Sequence, residues 1–166
     1  MIEFRAGTAA SCITEAYADI KDTAEKLTRG GFYWGPLSAQ ATARLLRDAA
    51  PGRFLVRHST QRYAFFTLSY RLLNSVVSRR IIHERHRFRL LGSRSDFASL
   101  CGLLEVLKPV PLSLPFRHRA PTLQELCRRS IVEACGDREQ HRPDLLKRLP
   151  LPPALLDFLV EFPYML

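Results

Sequence analysis

Six consecutive residues, Phe54-Leu55-Val56-Arg57-His58-Ser59, set a cation into an apolar run. In an extended chain successive side chains point to opposite faces, so Phe54 and Val56 point one way while Leu55 and Arg57 point the other. An arginine near the end of a buried strand needs a partner, because an isolated buried charge is costly. Two partners fit. One is an internal carboxylate; the other is a phosphate monoester, which carries about −1.5 to −2 charges and accepts two parallel guanidinium hydrogen bonds. Ser59 and the polar turn Thr60-Gln61-Arg62 supply a hydroxyl, an amide and a second cation beside it.

A second pattern lies near the end of the chain. Thr122-Leu123-x-x-x-Cys127-x-x-x-Ile131 puts Leu123, Cys127 and Ile131 on one helical face, with the small cysteine leaving room for a close neighbour. The spacing also suits an ordinary core stripe. Beyond it come Leu149-Pro150-Leu151-Pro152, then Leu155, Leu156, Phe158 and Leu159, and the apolar end Phe162-Pro163-Tyr164-Met165-Leu166. Three short helices in about 45 residues bury little by themselves, so apolar faces of this kind mark a binding surface.

Other chemistry finds less support. The four cysteines, Cys12, Cys101, Cys127 and Cys135, form no CxxC pair and have no zinc-type spacing with histidine. They read as reduced thiols of a cytosolic or nuclear protein. No apolar signal core or membrane-length run is present, and membrane insertion is not expected. His141 and Cys135 are near in sequence, but there is no nucleophile elbow, glycine-rich phosphate loop or metal cluster, so the chain reads as no enzyme and needs no cofactor. Twenty-five Lys and Arg against sixteen Asp and Glu give a net charge of +9, which favours acidic partners. Arg79, Arg80, His83, Arg85, His86, Arg87, Arg89 and Arg94 form a basic cluster that reads as a solvated face. A nucleic-acid site would require interleaved aromatics, and only Phe88 interrupts it.

The elements that must hold these residues follow from periodicity. Ile13, Tyr17, Ile20, Ala24 and Leu27 recur at helical steps, predicting an amphipathic helix over Ala9 to Leu27 that Gly30-Gly31 ends. After Phe32-Tyr33-Trp34-Gly35-Pro36-Leu37, Ser38 is a plausible N-cap of a helix with Ala41, Leu45 and Leu46 inward. Strands are expected over Arg53 to Ser59, Tyr63 to Leu72, Ser78 to Ile82 and Arg87 to Leu90, the last after a turn at Glu84-Arg85-His86. A helix follows over Ser95 to Leu107. The proline-rich stretch from Pro109 to Pro121 reads as a linker or extended loop. Helices are then expected over Thr122 to Ala134, Pro143 to Arg148 and Ala154 to Glu161. The order gives an α+β fold, an antiparallel sheet flanked by helices with a small helical tail.

GFYWGPLS, a helix and then FLVRHS resemble the opening of an SH2 domain. FYWGPLS, RHS-x-QR, the FFTLS strand and GS-R-S-D-F are similar to the suppressor of cytokine signalling family, across nearly the whole chain. The resemblance implies residues 1–30 as an N-terminal segment with an extended helix, 31–118 as an SH2 domain and 119–166 as an all-α SOCS box. It implies that Arg57 anchors phosphotyrosine, with Ser59, Thr60 and Arg62 on the pocket turn. Leu123, Leu126, Cys127 and Ile131 would dock elongin B/C, and Leu149, Pro150, Leu151 and Pro152 would contact a cullin, the fifth. His58 and Ala39 depart from the family pattern, Ala39 standing where many SH2 domains have a second arginine. The segment before the long helix is poor in the basic and aromatic residues by which a family member blocks a Janus kinase groove. The implied function is an adaptor that brings tyrosine-phosphorylated receptors or Janus kinases to a ubiquitin ligase. A phosphotyrosine-binding competitor without ligase recruitment and a basic nucleic-acid binder are the alternatives.

Overall fold

The computed structural model describes residues 7–107, 112–135, 146 and 148–160, for 7–15, 129 and 133 the backbone alone. The chain runs α1 (Gly7–Arg29), α2 (Ala39–Leu46), β1 (Phe54–His58), β2 (Phe66–Leu72), β3 (Ser75–Glu84), β4 (Arg87–Leu90) and α3 (Leu100–Val106), then α4 (Leu123–Cys135) and α5 (Pro153–Val160). The expected helix over Pro143 to Arg148 and the apolar end at 162–166 lie outside the described residues, Leu146 and Arg148 excepted.

Four antiparallel strands make a meander in the order β1-β2-β3-β4. Alternation separates its faces. Phe54, Val56, Phe66, Leu68, Tyr70 and Ile81 join the core with Ile20 and Leu27 of α1 and Leu100, Leu103 and Leu104 of α3. The opposite face carries Leu55, Arg57, Thr67, Ser69, Ser78 and Arg80, and it is polar in part: the Ser69 and Ser78 hydroxyls pair across strands at 2.8 Å. The β3–β4 turn puts Arg85 and His86 at φ of 51° and 60°, the mirror-image hairpin conformation that suits strand twist and usually calls for Asn or Gly.

The extended helix is tied to this hairpin. Asp19 of α1 takes a hydrogen bond from His86 Nδ1 at 2.7 Å, and the buried His83 ring lies 3.4 Å away. Burial lowers the His83 pKa, with Asp19 opposing the shift. Ile20 and Leu27 are buried as the apolar stripe requires, but Tyr17 is 65% exposed. Its ring lies outside the face that the neighbouring elements cover.

Three elements start three or more residues from the expectation. β3 begins at Ser75 rather than Ser78, because Ser75, Val76 and Val77 pair with Leu72, Arg71 and Tyr70 of β2. α3 begins at Leu100, capped by the Ser99 hydroxyl, and not at Ser95. Phe97 instead exchanges two backbone hydrogen bonds with Phe88. β2 begins at Phe66, leaving Tyr63 in the preceding turn.

The proline-rich segment is not a free linker over its described part. Phe116 N–H donates to the Phe54 carbonyl and Phe54 N–H to that of Leu114, so residues 114–116 cover one half of the β1 edge. Residues 32–34 cover the other half through Val56 and Trp34. Covering both halves removes an open edge that other chains could pair with. Pro115 fits there since a proline, lacking an N–H, belongs at a sheet edge. Gly52 permits the approach: at φ 82°, a Cβ there would meet Ser113 at 2.9 Å.

Candidate functional site

Arg57 is 6% exposed on the polar face of β1. Its Nη1 donates to the carbonyls of Leu37 (3.2 Å) and His58 (3.4 Å), while Nε is buried without an acceptor. Among the described residues no carboxylate pairs with it, so the internal-acid alternative finds no partner there. Burial first, and then the charge of Arg80, lower the Arg57 pKa. A guanidinium kept in this state suits an anion, with carbonyls orienting it and donors still to satisfy.

The turn after β1 closes on itself. Ser59 N–H donates to the Phe65 carbonyl at 2.9 Å, and Ser59 Oγ accepts from Gln61 N–H at 3.2 Å. That leaves the buried Ser59 hydroxyl its own proton to donate. Thr60 and Arg62 sit exposed on the same turn. The sequence-derived set thus collects at the end of one strand and its turn.

Sequence reading missed Arg80. It lies in register with Thr67, which is in register with Arg57, so the two arginines share one row across three strands. Ala39, the departure from the SH2 pattern, is the exposed first residue of α2 and brings no cation to this face. Arg80 brings one from the far side. The signal was present in Ser78-Arg79-Arg80, where alternation puts Arg80 on the Arg57 face once the β2–β3 register is known.

The tail presents a second surface. α4 opens with a reciprocal cap: Glu125 N–H donates to Thr122 Oγ1 at 3.3 Å, and Thr122 N–H donates to Glu125 Oε2 at 2.8 Å. Arg119 holds the same carboxylate with both terminal nitrogens, at 2.6 and 2.9 Å, and also reaches the Arg29 carbonyl that ends α1. The Arg119 hydrogen bonds, ahead of the Thr122 amide, hold the Glu125 carboxyl down to about 2, against the opposing effect of burial.

From that anchored start, Leu123 (76% exposed), Leu126 (45%) and Ile131 (38%) face solvent, with Cys127 exposed among them. Among the described residues nothing covers this apolar face of α4. Arg128, one residue after Cys127, does the opposite. It is buried, and its Nε and Nη2 donate to the Phe158 and Leu159 carbonyls at 2.6 and 2.5 Å. A cation there satisfies the last carbonyls of α5 and suits the negative end of that helix. Leu149 and Leu151 are half-buried and Pro150 and Pro152 exposed, immediately before Pro153 opens α5.

An SH2 domain family model matches residues 32–107, and a SOCS box model matches residues 119–159. The chain is 43% identical over 152 residues to suppressor of cytokine signaling 1 of Mus musculus, spanning 89% of this chain and 69% of that protein. It is 42% identical to the Homo sapiens protein of the same description over the same shares. Suppressor of cytokine signaling 2 of Rattus norvegicus is 26% identical, over 84% of this chain and 78% of that one. Among solved structures, the SH2 domain of human VAV1 aligns at a TM-score of 0.48 and 22% identity, covering 58% of this chain and 78% of that chain.

Proposed function

The chain belongs to the suppressor of cytokine signalling family, with an SH2 domain and a SOCS box, and from that premise we propose that it is the substrate-recognition adaptor of an elongin–cullin ubiquitin ligase. Its SH2 domain binds tyrosine-phosphorylated receptors or Janus kinases on the cytoplasmic side. The SOCS box takes elongin B/C on the exposed α4 face and a cullin, the fifth, on Leu149-Pro150-Leu151-Pro152. No described helix is long and apolar enough to cross a membrane.

The observation that carries the reading is a buried arginine with carbonyl partners and no acid among the described residues, at the end of the strand where an SH2 domain holds phosphotyrosine. A cation so placed gains most from a doubly charged ligand. Ser59, Thr60 and Arg62 complete the pocket from its turn, and the exposed Leu123, Leu126, Cys127 and Ile131 supply the second half of an adaptor.

Titration of tyrosine-phosphorylated receptor and kinase peptides against wild type and Arg57→Ala tests the first half. Pull-down of elongin B/C and the cullin by the same two proteins tests the second. The expected result is micromolar, phosphate-dependent binding lost in Arg57→Ala, with elongin capture unchanged. A competitor without ligase recruitment would bind peptide and fail to capture elongin. Peptide binding insensitive to phosphate would reject the reading.

A further inference from the structure

Tyr63 lies in the turn between β1 and β2, four residues after Ser59, and is 53% exposed. Its neighbours Thr60, Gln61 and Arg62 are exposed too, so the stretch is open to another protein. The other described tyrosines are placed differently. Tyr70 is buried, Tyr33 packs edge-on against Phe66, and Tyr17 is exposed on α1. Among the described aromatic rings of tyrosine, Tyr63 has an arginine beside it: the Arg80 guanidinium carbon is 5.9 Å from its ring centre. Arg80 is also the charge that lowers the Arg57 pKa, and it shares the cross-strand row of Arg57. Tyr63 therefore stands at the rim of the anion site, against its outer cation.

We propose that Tyr63 is a phosphorylation site whose phosphate docks in cis on Arg80 and closes the Arg57 pocket to phosphotyrosine ligands. This rests on the reading of that pocket given above. In the modification, a tyrosine kinase transfers the terminal phosphoryl group of ATP to Tyr63 Oη. The new O–P bond forms as the bond to the departing ADP breaks, and the phenolic proton passes to the kinase's base. The product carries about −1.5 to −2 charges beside a guanidinium it can engage twice. Arg80 is then drawn from the incoming ligand, and the added anion repels a second phosphate. A kinase bound by this protein would thereby limit its own capture.

The test uses the full chain with its elongin partners. A broad-specificity tyrosine kinase domain and ATP are applied to wild type and Tyr63→Phe, and incorporation is mapped by mass spectrometry. Phosphopeptide affinity is measured before and after, and the ³¹P resonance of the phosphorylated protein is titrated with pH. Labelling of native protein at Tyr63, at least tenfold weaker peptide binding absent in Tyr63→Phe, and a second phosphate pKa below that of a free phosphotyrosine peptide are expected. Arg80→Ala should return that pKa to the free value. If the native protein refuses the label that its urea-unfolded chain accepts, the site is rejected. Full labelling with unchanged affinity and an unshifted phosphate rejects the docking. Should unmodified protein bind no phosphopeptide while Arg80 still lowers the phosphate pKa, the pocket reading fails and the contact in cis stands.

Discussion

Arg57 and Arg80 occupy one row across the sheet with Thr67 between them, and burial, joined by the charge of the second, lowers the basicity of the first. Two like charges converge on a surface that holds no described acid. Such an arrangement is unfavourable in the free protein and favourable around an anion. Stability and binding should consequently separate. Arg57→Met is expected to leave thermal stability unchanged or raise it by about 1 kcal/mol, while weakening phosphopeptide binding roughly 100-fold. Arg80→Ala should weaken binding about tenfold, with a shallower salt dependence. Denaturant melts and calorimetric titration of the same samples check both.

The Arg119–Glu125 pair predicts an acid limit for the junction between sheet and tail. The Glu125 carboxyl titrates at about 2 when folded, below its ordinary value of 4.5. A depressed folded value means the contribution is complete above about pH 4.5 and is lost as pH falls toward 2. With Arg119 one-third exposed, about 2 kcal/mol is a fair ceiling at neutral pH. Wild type and Glu125→Gln should differ by about that at pH 7 and converge near pH 2 in urea melts, if the pair acts as described.

Arg128 predicts a local effect. Arg128→Met removes the donors to the Phe158 and Leu159 carbonyls, costing about 2–3 kcal/mol and loosening α5 from α4. Amide hydrogen exchange should speed up over residues 153–160 and stay slow in β1 to β3. Uniformly faster exchange would show that the tail and sheet unfold as one unit.

Leu123 and Cys127 predict the reverse, a surface with function and little stability. Leu123→Ser should shift stability by no more than about 0.5 kcal/mol, since the side chain touches solvent over 76% of its area. Cys127→Phe fills the room beside it at similarly small cost. Both should abolish elongin capture in pull-downs and leave phosphopeptide affinity as in wild type.

Much of the fold was legible because its elements are locally patterned. Phe54-Leu55-Val56 announced β1, Ser38 announced the cap of α2, and Arg87 to Leu90 matched β4 residue for residue. What escaped depends on distant partners. The start of β3 escaped because Ser75-Val76-Val77 follows β2 after only Leu73-Asn74, and it is the pairing with Leu72, Arg71 and Tyr70 that makes it strand. Phe97 fits the apolar spacing of α3 but is held by Phe88. Arg128 looks like any solvated helix residue until α5, 30 positions on, brings its carbonyls. Arg57 was legible as a charge needing a partner, and the absence of an acid among the described residues became visible in three dimensions alone.

The segment from Leu114 to Arg119 is sewn to β1, to Gly31 and to the end of α1. The tail is therefore mounted on a bracket and does not swing from a tether. Reach then becomes a matter of angle: a ligase assembled on α4 would address the lysines of captured cargo that lie along one bearing from the pocket. Lengthening the chain between the two parts with glycine and serine would trade that bearing for a sphere, raising the number of lysines in range and lowering the dwell time at each.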